Sequence, residues 1–484
     1  SSSSSSSTNK GRSFGGAQRS RGRWLLPPSE GACAAGDGAT AVHVHVPEEE
    51  KTLVMSEWEG QSLAQESAST SRTADTPASA ALELDDYALF GKPLSQVDTR
   101  EADQWLQGKR VEELKRTFEK EVQNDFEVVR LARALQVHAE LELQGVRVNV
   151  RDKNNLEDVL AALGAVLVQP ERVQLAMFSL GVSYSSPGVP VHSKHALCRC
   201  LARQTQLRVL GLTHLQPEWT TDEWTELCKV LTQLKDLTSF GLRHNAMKGE
   251  DAAALAASLA RLKSLTGLGF DGNAMKDEGA AALAPSLVQL QKLTYLRLAN
   301  NELGDEGVKA LAEPLAQLHK LENLFLDNNK LGEEGAKALA ESLAQLRNLT
   351  LLDLSHNKLG DNGAAALAPS LAQLHKLECL ELNGNDLGDV GARALIAGCL
   401  ASKDSLVELH LCGTQSRNHA CAGFVCHAAV LAIRPRHRAD TGRIVIDTGC
   451  SSLAPFSQWK RALVRARRYG SGAVLSVDVG WKYR

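Results

Sequence analysis

The feature that most constrains this chain is a repeat. The pattern Leu-x-x-Leu-x-Leu-x-x-Asn-x-Leu, with small substitutions, starts at Leu237, Leu265, Leu293, Leu321, Leu349 and Leu377, each 28 residues after the last. A fixed period of this size marks a stacked array, because no single unit can bury its apolar face alone. A further copy begins upstream at Leu207-Leu210-Leu212, with Leu215 where Asn is expected. Another begins downstream at Leu406-Leu409-Leu411, with Thr414 at that place. The 484 residues exceed what one compact core usually holds, and an array resolves that excess.

The chemistry of one unit dictates its shape. In Leu-x-x-Leu-x-Leu, alternate side chains point to opposite faces of a short strand, so Leu296 and Leu298 enter the core. An Asn then turns the chain, its amide bonding loop backbone that no ladder satisfies; these are Asn245, Asn273, Asn301, Asn329, Asn357 and Asn385. Leu303 and Gly-Asp-Glu-Gly, or variants, follow, and the acidic pair favours a helix start. The spacing predicts a helix over Ala336–Leu346, with Leu339, Leu343 and Leu346 inward. Strands stack ~4.8 Å apart and helices ~10 Å apart, so the array must curve with the strands inside. The expected fold class is α/β, a solenoid (horseshoe) with an inner parallel sheet and outer helices. Pro285 and Pro369 fall inside two of the helices and are expected to break each into two short segments.

Outside the array the signals weaken. Residues 1–80 are poor in aliphatics and rich in Ser, Gly, Ala and Thr, and read as disordered. Residues 81–136 read as a helical leader, with Val111, Leu114, Phe118, Val122, Phe126, Val129 and Leu131 at helical spacing. Residues 137–206 read as degenerate repeats, with strands at Val137–Val148 and Val173–Leu180 and helices at Asn155–Val166 and His192–Thr205. Regular repeats cover 207–413, and an atypical tail covers 414–484.

The 28-residue unit with Asn-x-Leu-Gly-x-x-Gly-x-x-x-Leu resembles the ribonuclease-inhibitor-like class of leucine-rich repeats. That class includes ribonuclease inhibitors, NOD-like receptor repeat domains and the Ran GTPase-activating protein. The resemblance implies a parallel-stranded α/β horseshoe and does not imply one activity, because the same scaffold serves inhibitors, receptors and GTPase regulators. The expected function is a non-enzymatic scaffold that binds a protein partner on the concave face. No Gly-x-x-x-x-Gly-Lys-Ser/Thr loop occurs, so the likeness to NOD-like receptors ends at the repeats. Regulation of a small GTPase is the alternative, with no matching catalytic motif. In place of that family's acidic tail stand Lys460, Arg461, Arg465, Arg467 and Arg468.

Specificity must come from the variable positions beside the strand leucines. Parallel strands should set Arg297, Phe325 and Asp353 side by side, with Tyr295 diagonal to Phe325. Exposed aromatics beside Arg have the composition of an interface hot spot. Asp327, Asp353 and Glu381 make the later half acidic, and Gly211, Gly241 and Gly269 leave the early half flat. Tyr295, Arg297, Phe325, Asp327, Asp353 and Glu381 are therefore the expected partner-binding residues.

Other chemistry is weakly signalled. Arg443-Ile-Val-Ile-Asp-Thr-Gly449 resembles the active-site strand of retroelement aspartic proteases, with Asp447 at the catalytic place. Such enzymes need two copies, and Asp440-Thr-Gly442 is too close to supply the second. Cys412, His419, Cys421, Cys426 and His427 lack the paired spacing of a zinc site and read as free thiols and histidines. Cys198, Cys200 and Cys228 read as packing residues on helices. Lys10, Arg12, Arg19, Arg21 and Arg23, with no acid among the first 29 residues, give a transit-peptide alternative to a disordered tail. The first residue is Ser1, not Met, which leaves the true start open. No cofactor is expected. The net charge of −3 favours neither nucleic acid nor a membrane, and the expected location is cytoplasmic, with nuclear or organellar placement left open.

Overall fold

The computed structural model describes residues 94–152, 156–182, 191–215, 218–401, 406, 408–410, 445–447 and 476–478. The expected disordered segment, the Cys/His cluster from Cys412 to His427 and the basic run Lys460–Arg468 lie outside these residues. One sheet of thirteen strands runs through the molecule with its strands in sequence order. Every pairing is parallel. Strands β1 to β5 are Val122–Gln123, Leu143–Asp152, Val173–Val182, Val209–Thr213 and Ser239–Arg243. Strands β6 to β10 are Gly267–Gly269, Tyr295–Arg297, Asn323–Phe325, Leu351–Asp353 and Cys379–Glu381. Strand β11 is Glu408–His410, β12 Val445–Asp447 and β13 Ser476–Asp478. A helix follows each strand from β1 to β10, as parallel pairing requires of a crossover.

The repeat leucines fill one continuous core. Leu293, Leu296, Leu298, Leu303 and Leu311 are all buried, as are their counterparts a repeat later, Leu321, Leu324, Leu326, Leu331 and Leu339. Small residues on the helices bring neighbours close. Ser342 Oγ donates to the Ala312 carbonyl at 2.8 Å and Ser370 Oγ to the Ala340 carbonyl at 2.7 Å, each bond joining consecutive repeats.

The recurring turn of each unit is a ladder of side-chain amides. Asn329 Nδ2 donates to the carbonyls of Leu298 and Leu326 at 3.0 Å, while its Oδ1 accepts the amides of Asn301 and Leu303 at 3.0 Å. Asn245, Asn273, Asn301, Asn357 and Asn385 likewise donate to carbonyls of the preceding repeat at 2.7–2.9 Å. Where Leu215 replaces Asn, its amide is still held, by Asn245 Oδ1 at 3.0 Å. The residue before each of these positions turns left-handed: His214, His244, Gly272, Asn300, Asn328, His356 and Gly384 all have positive φ. His, Asn and Gly are the residues that tolerate this backbone best.

Three expectations need correction. The helices containing Pro285 and Pro369 are single segments, Lys276–Leu287 and Gly360–Leu371. Each proline is exposed, as are Ala281 and Ala365 four residues before them, so the carbonyl lacking a partner faces water and the helix survives. Pro314 in Asp305–Gln317 lies one position later in its repeat and is buried. In the leader, the stripe from Val111 does not run through one helix. Helices Val111–Lys120 and Asp125–Val137 are separated by β1, and Asn124 caps the second with a reciprocal bond to Glu127. Phe126 is consequently 52% exposed. The strand expected at Val137–Val148 starts only at Leu143, because the second helix runs on to Val137.

The segment expected to depart from the repeat contributes β12 and β13 to the same sheet, with His410, Asp447 and Asp478 in register. Asp447 ends a strand of the parallel ladder, and the Thr-Gly that follows lies outside the described residues.

Candidate interaction surface

The sheet offers one face to the leucine core and the other to the variable side chains. Register aligns Gly267, Tyr295, Asn323, Leu351 and Cys379 in one row. Gly211, Gly241, Gly269, Arg297, Phe325, Asp353 and Glu381 form the next. Arg297, Phe325 and Asp353 are thus lateral neighbours. A third row follows from the turn bonds, in which Asp271, Ala299, Asp327, Ser355 and Asn383 each give a carbonyl to the amide one repeat earlier.

The aromatic pair is not exposed as its composition suggested. Tyr295 is 2% and Phe325 9% exposed. Their rings pack tilted at 5.3 Å between centroids. The Arg297 guanidinium lies 4.4 Å over the Phe325 ring, and Arg297 Nη1 donates to the Tyr295 hydroxyl at 3.3 Å. Strand spacing of ~4.8 Å is shorter than these side chains, so neighbours in a row cover one another. The geometry makes Tyr295 and Phe325 a support for Arg297.

Asp271, not singled out from the sequence, completes the group. Its carboxylate lies 2.7 Å from Arg297 Nε and 3.1 Å from Arg243 Nε. Burial raises the Asp271 pKa, and the two guanidiniums oppose that rise. Burial likewise works against the Arg297 charge, yet Asp271 and Tyr295 outweigh it and hold the guanidinium ionised. The signal was legible: Asp271 follows Arg243 by one repeat, and Arg297 sits one strand further on.

Beyond Phe325 the face turns acidic. Asp353 is 3% exposed, and its pKa is raised to about 7, first by burial and then by the charges of Glu381 and Asp327. Its Oδ1 accepts the Ser355 amide at 2.9 Å. Asp327 is half-buried; Oδ2 accepts from Asn328 Nδ2 at 2.9 Å, while Oδ1 is buried without a hydrogen-bond partner among the described residues.

At the early end, His214 and His244 stack at 4.3 Å with rings 3° from parallel. Burial, His244 and Arg243 push the His214 pKa down to about 4. Cys198 and Cys200 are buried, and burial pushes the Cys198 thiol up to about 12, which suits packing rather than reactivity. Among the described residues no three His, Cys, Asp or Glu side chains converge to hold a metal ion, and no helix is long and apolar enough to cross a membrane.

The family model described as Leucine Rich repeat matches residues 289–312, 345–368 and 373–395. With the stacked parallel strands and the asparagine ladder, this places the chain among the leucine-rich-repeat proteins. No curated protein matches it in sequence. Among solved structures, an internalin of Listeria monocytogenes is similar at 17% identity and TM-score 0.36, covering 67% of this chain and 92% of that one. Internalin C2 of the same organism is similar at 22% identity and TM-score 0.24, covering 35% and 76%. A plant ice-binding protein is similar at 21% identity and TM-score 0.24, covering 40% and 60%.

Proposed function

We propose that the chain is a non-enzymatic scaffold that binds a partner protein on the concave face of its repeats, around Tyr295, Arg297, Phe325, Asp327, Asp353 and Glu381. We further assign its repeats to the ribonuclease-inhibitor-like class, on the 28-residue period and the Asn-x-Leu-Gly-x-x-Gly turn. The observation that carries the binding reading is the buried clamp of Asp271, Arg297, Tyr295 and Phe325 on a face that core packing does not require to be polar. Clamped side chains lose little entropy on contact, which favours them as anchors.

Affinity purification with mass spectrometry tests the reading. Tyr295 and Phe325 are buried, so their removal would confound binding with folding. Asp327→Lys with Glu381→Lys acts on half-buried positions instead. A specific partner retained by wild type and lost by this variant, with an unchanged melting temperature, is the expected result. Retention of every partner would end the proposal.

A further inference from the structure

The concave face is charged in opposite senses along its length. On the rows of β2 to β7 stand Arg147, Arg151, Arg243 and Arg297, and among the side chains described there the one acid is Asp271. On those of β8 to β10 stand Asp327, Asp353 and Glu381, with no lysine or arginine. Among the described residues, no salt bridge neutralises Asp327 or Asp353. Arg243 keeps 29% of its side chain exposed after pairing with Asp271.

Between Arg243 and Arg297 the floor is bare. A Cβ added at Gly241 would meet only the Gly269 carbonyl at 3.8 Å, and one at Gly269 only Arg297 Cβ at 3.9 Å. A partner can therefore approach the sheet backbone there, while Phe325 and its neighbours stand higher.

From these relations, and resting on the binding reading above, we infer that the partner docks lengthwise across the strands with fixed polarity. An acidic stretch lies over the Gly241–Gly269 floor beside Arg243, and a basic side chain lies over the half-buried carboxylates of Asp327 and Glu381. Arg243 and Asp353 are four strands apart, ~19 Å at the usual spacing, which about six residues of extended chain span. Charge complementarity of this kind sets register and orientation more than raw affinity.

The test uses a synthetic peptide with the sequence Glu-Glu-Gly-Ser-Gly-Ser-Gly-Lys-Lys, carrying a nitroxide at either end, and amide spectra of the full chain. The label at the glutamate end is expected to broaden Gly211, Gly241 and Gly269. The label at the lysine end is expected to broaden Phe325, Asp353 and Glu381. Asp327→Asn with Glu381→Gln should weaken binding about tenfold or more, and Arg243→Gln should release the glutamate end alone. Glu306→Gln with Glu334→Gln, on the outer helices, should change neither. Labels that broaden the same residues, or that broaden the outer helices, overturn the polarity; so does affinity unchanged in both concave variants. If polarity fails while the Asp327→Lys, Glu381→Lys variant still loses its captured partner, the scaffold reading stands and only this inference falls.

Discussion

Asp277 Oδ1 accepts the amide of Gly304, twenty-seven residues later, at 2.6 Å. The first-turn acid of one helix thus caps the start of the next, where unpaired amides and the helix dipole favour an anion. Asp305 does the same for Gly332 at 2.7 Å, and Asp361 for Gly388 and Gly391 at 2.8 Å. The second glycine of the motif exists for this contact. A Cβ at Gly307 would lie 2.5 Å from Asp277 Oδ1 and 3.1 Å from its Cα. Gly307→Ala should therefore cost about 1–3 kcal/mol, as overpacking does. Gly241→Ala, with open space before it, should leave stability near wild type. Urea midpoints of the two variants check this.

Asn329→Ala should be more damaging. It removes donors to the Leu298 and Leu326 carbonyls and the acceptor for the Asn301 and Leu303 amides, all buried. Each buried group left unpaired costs ~1–3 kcal/mol, so the loss should exceed that of Gly307→Ala. Hydrogen exchange should show the amides of Asn301 and Leu303 losing protection first. Uniform loss across the sheet would mean that the ladder is not local.

Asp353 should make stability fall as the solution becomes less acidic. Its folded pKa, about 7, lies above the ordinary carboxylate value of ~3.9. Between those values the folded chain binds more protons than the unfolded one, so its contribution is full below ~4 and is lost as pH rises through about 7. Asp353→Asn keeps an oxygen for the Ser355 amide and removes the charge. It should flatten the dependence and raise stability at pH 8 by on the order of 2 kcal/mol. Melting temperatures from pH 4 to 8 decide it.

The stacked histidines act in the opposite sense. The His214 pKa is lowered to about 4, so the unfolded chain binds the proton first as acid is added. Stability from this group is present above ~6.5 and is lost as pH falls through about 4. His214→Asn keeps a residue suited to the left-handed backbone and should weaken the acid sensitivity between those limits. An unchanged acid limb would show that the stack does not set it.

Asp271→Asn should leave two guanidiniums facing each other without their shared carboxylate. Breaking such a buried pair costs ~3–5 kcal/mol. Adding Arg243→Gln should recover part of the loss. If the double variant is no more stable than the single, repulsion is not the cause.

The repeat by itself determined the parallel sheet, the outer helices, the leucine core and the ladder positions of residues such as Asn329. These follow from local periodicity, because each unit meets only its neighbours and the same contacts recur. The lateral row Arg297, Phe325 and Asp353 was legible for the same reason. Helix limits were less so: Pro285 fits because its freed carbonyl faces water, a fact of orientation rather than of composition. Only the tertiary structure decided that Tyr295 and Phe325 are covered, that Arg297 is shared between Phe325 and Asp271, and that Asp353 crowds Glu381. Those outcomes depend on side-chain length against strand spacing and on diagonal contacts between repeats. A pattern that records one unit at a time does not contain either.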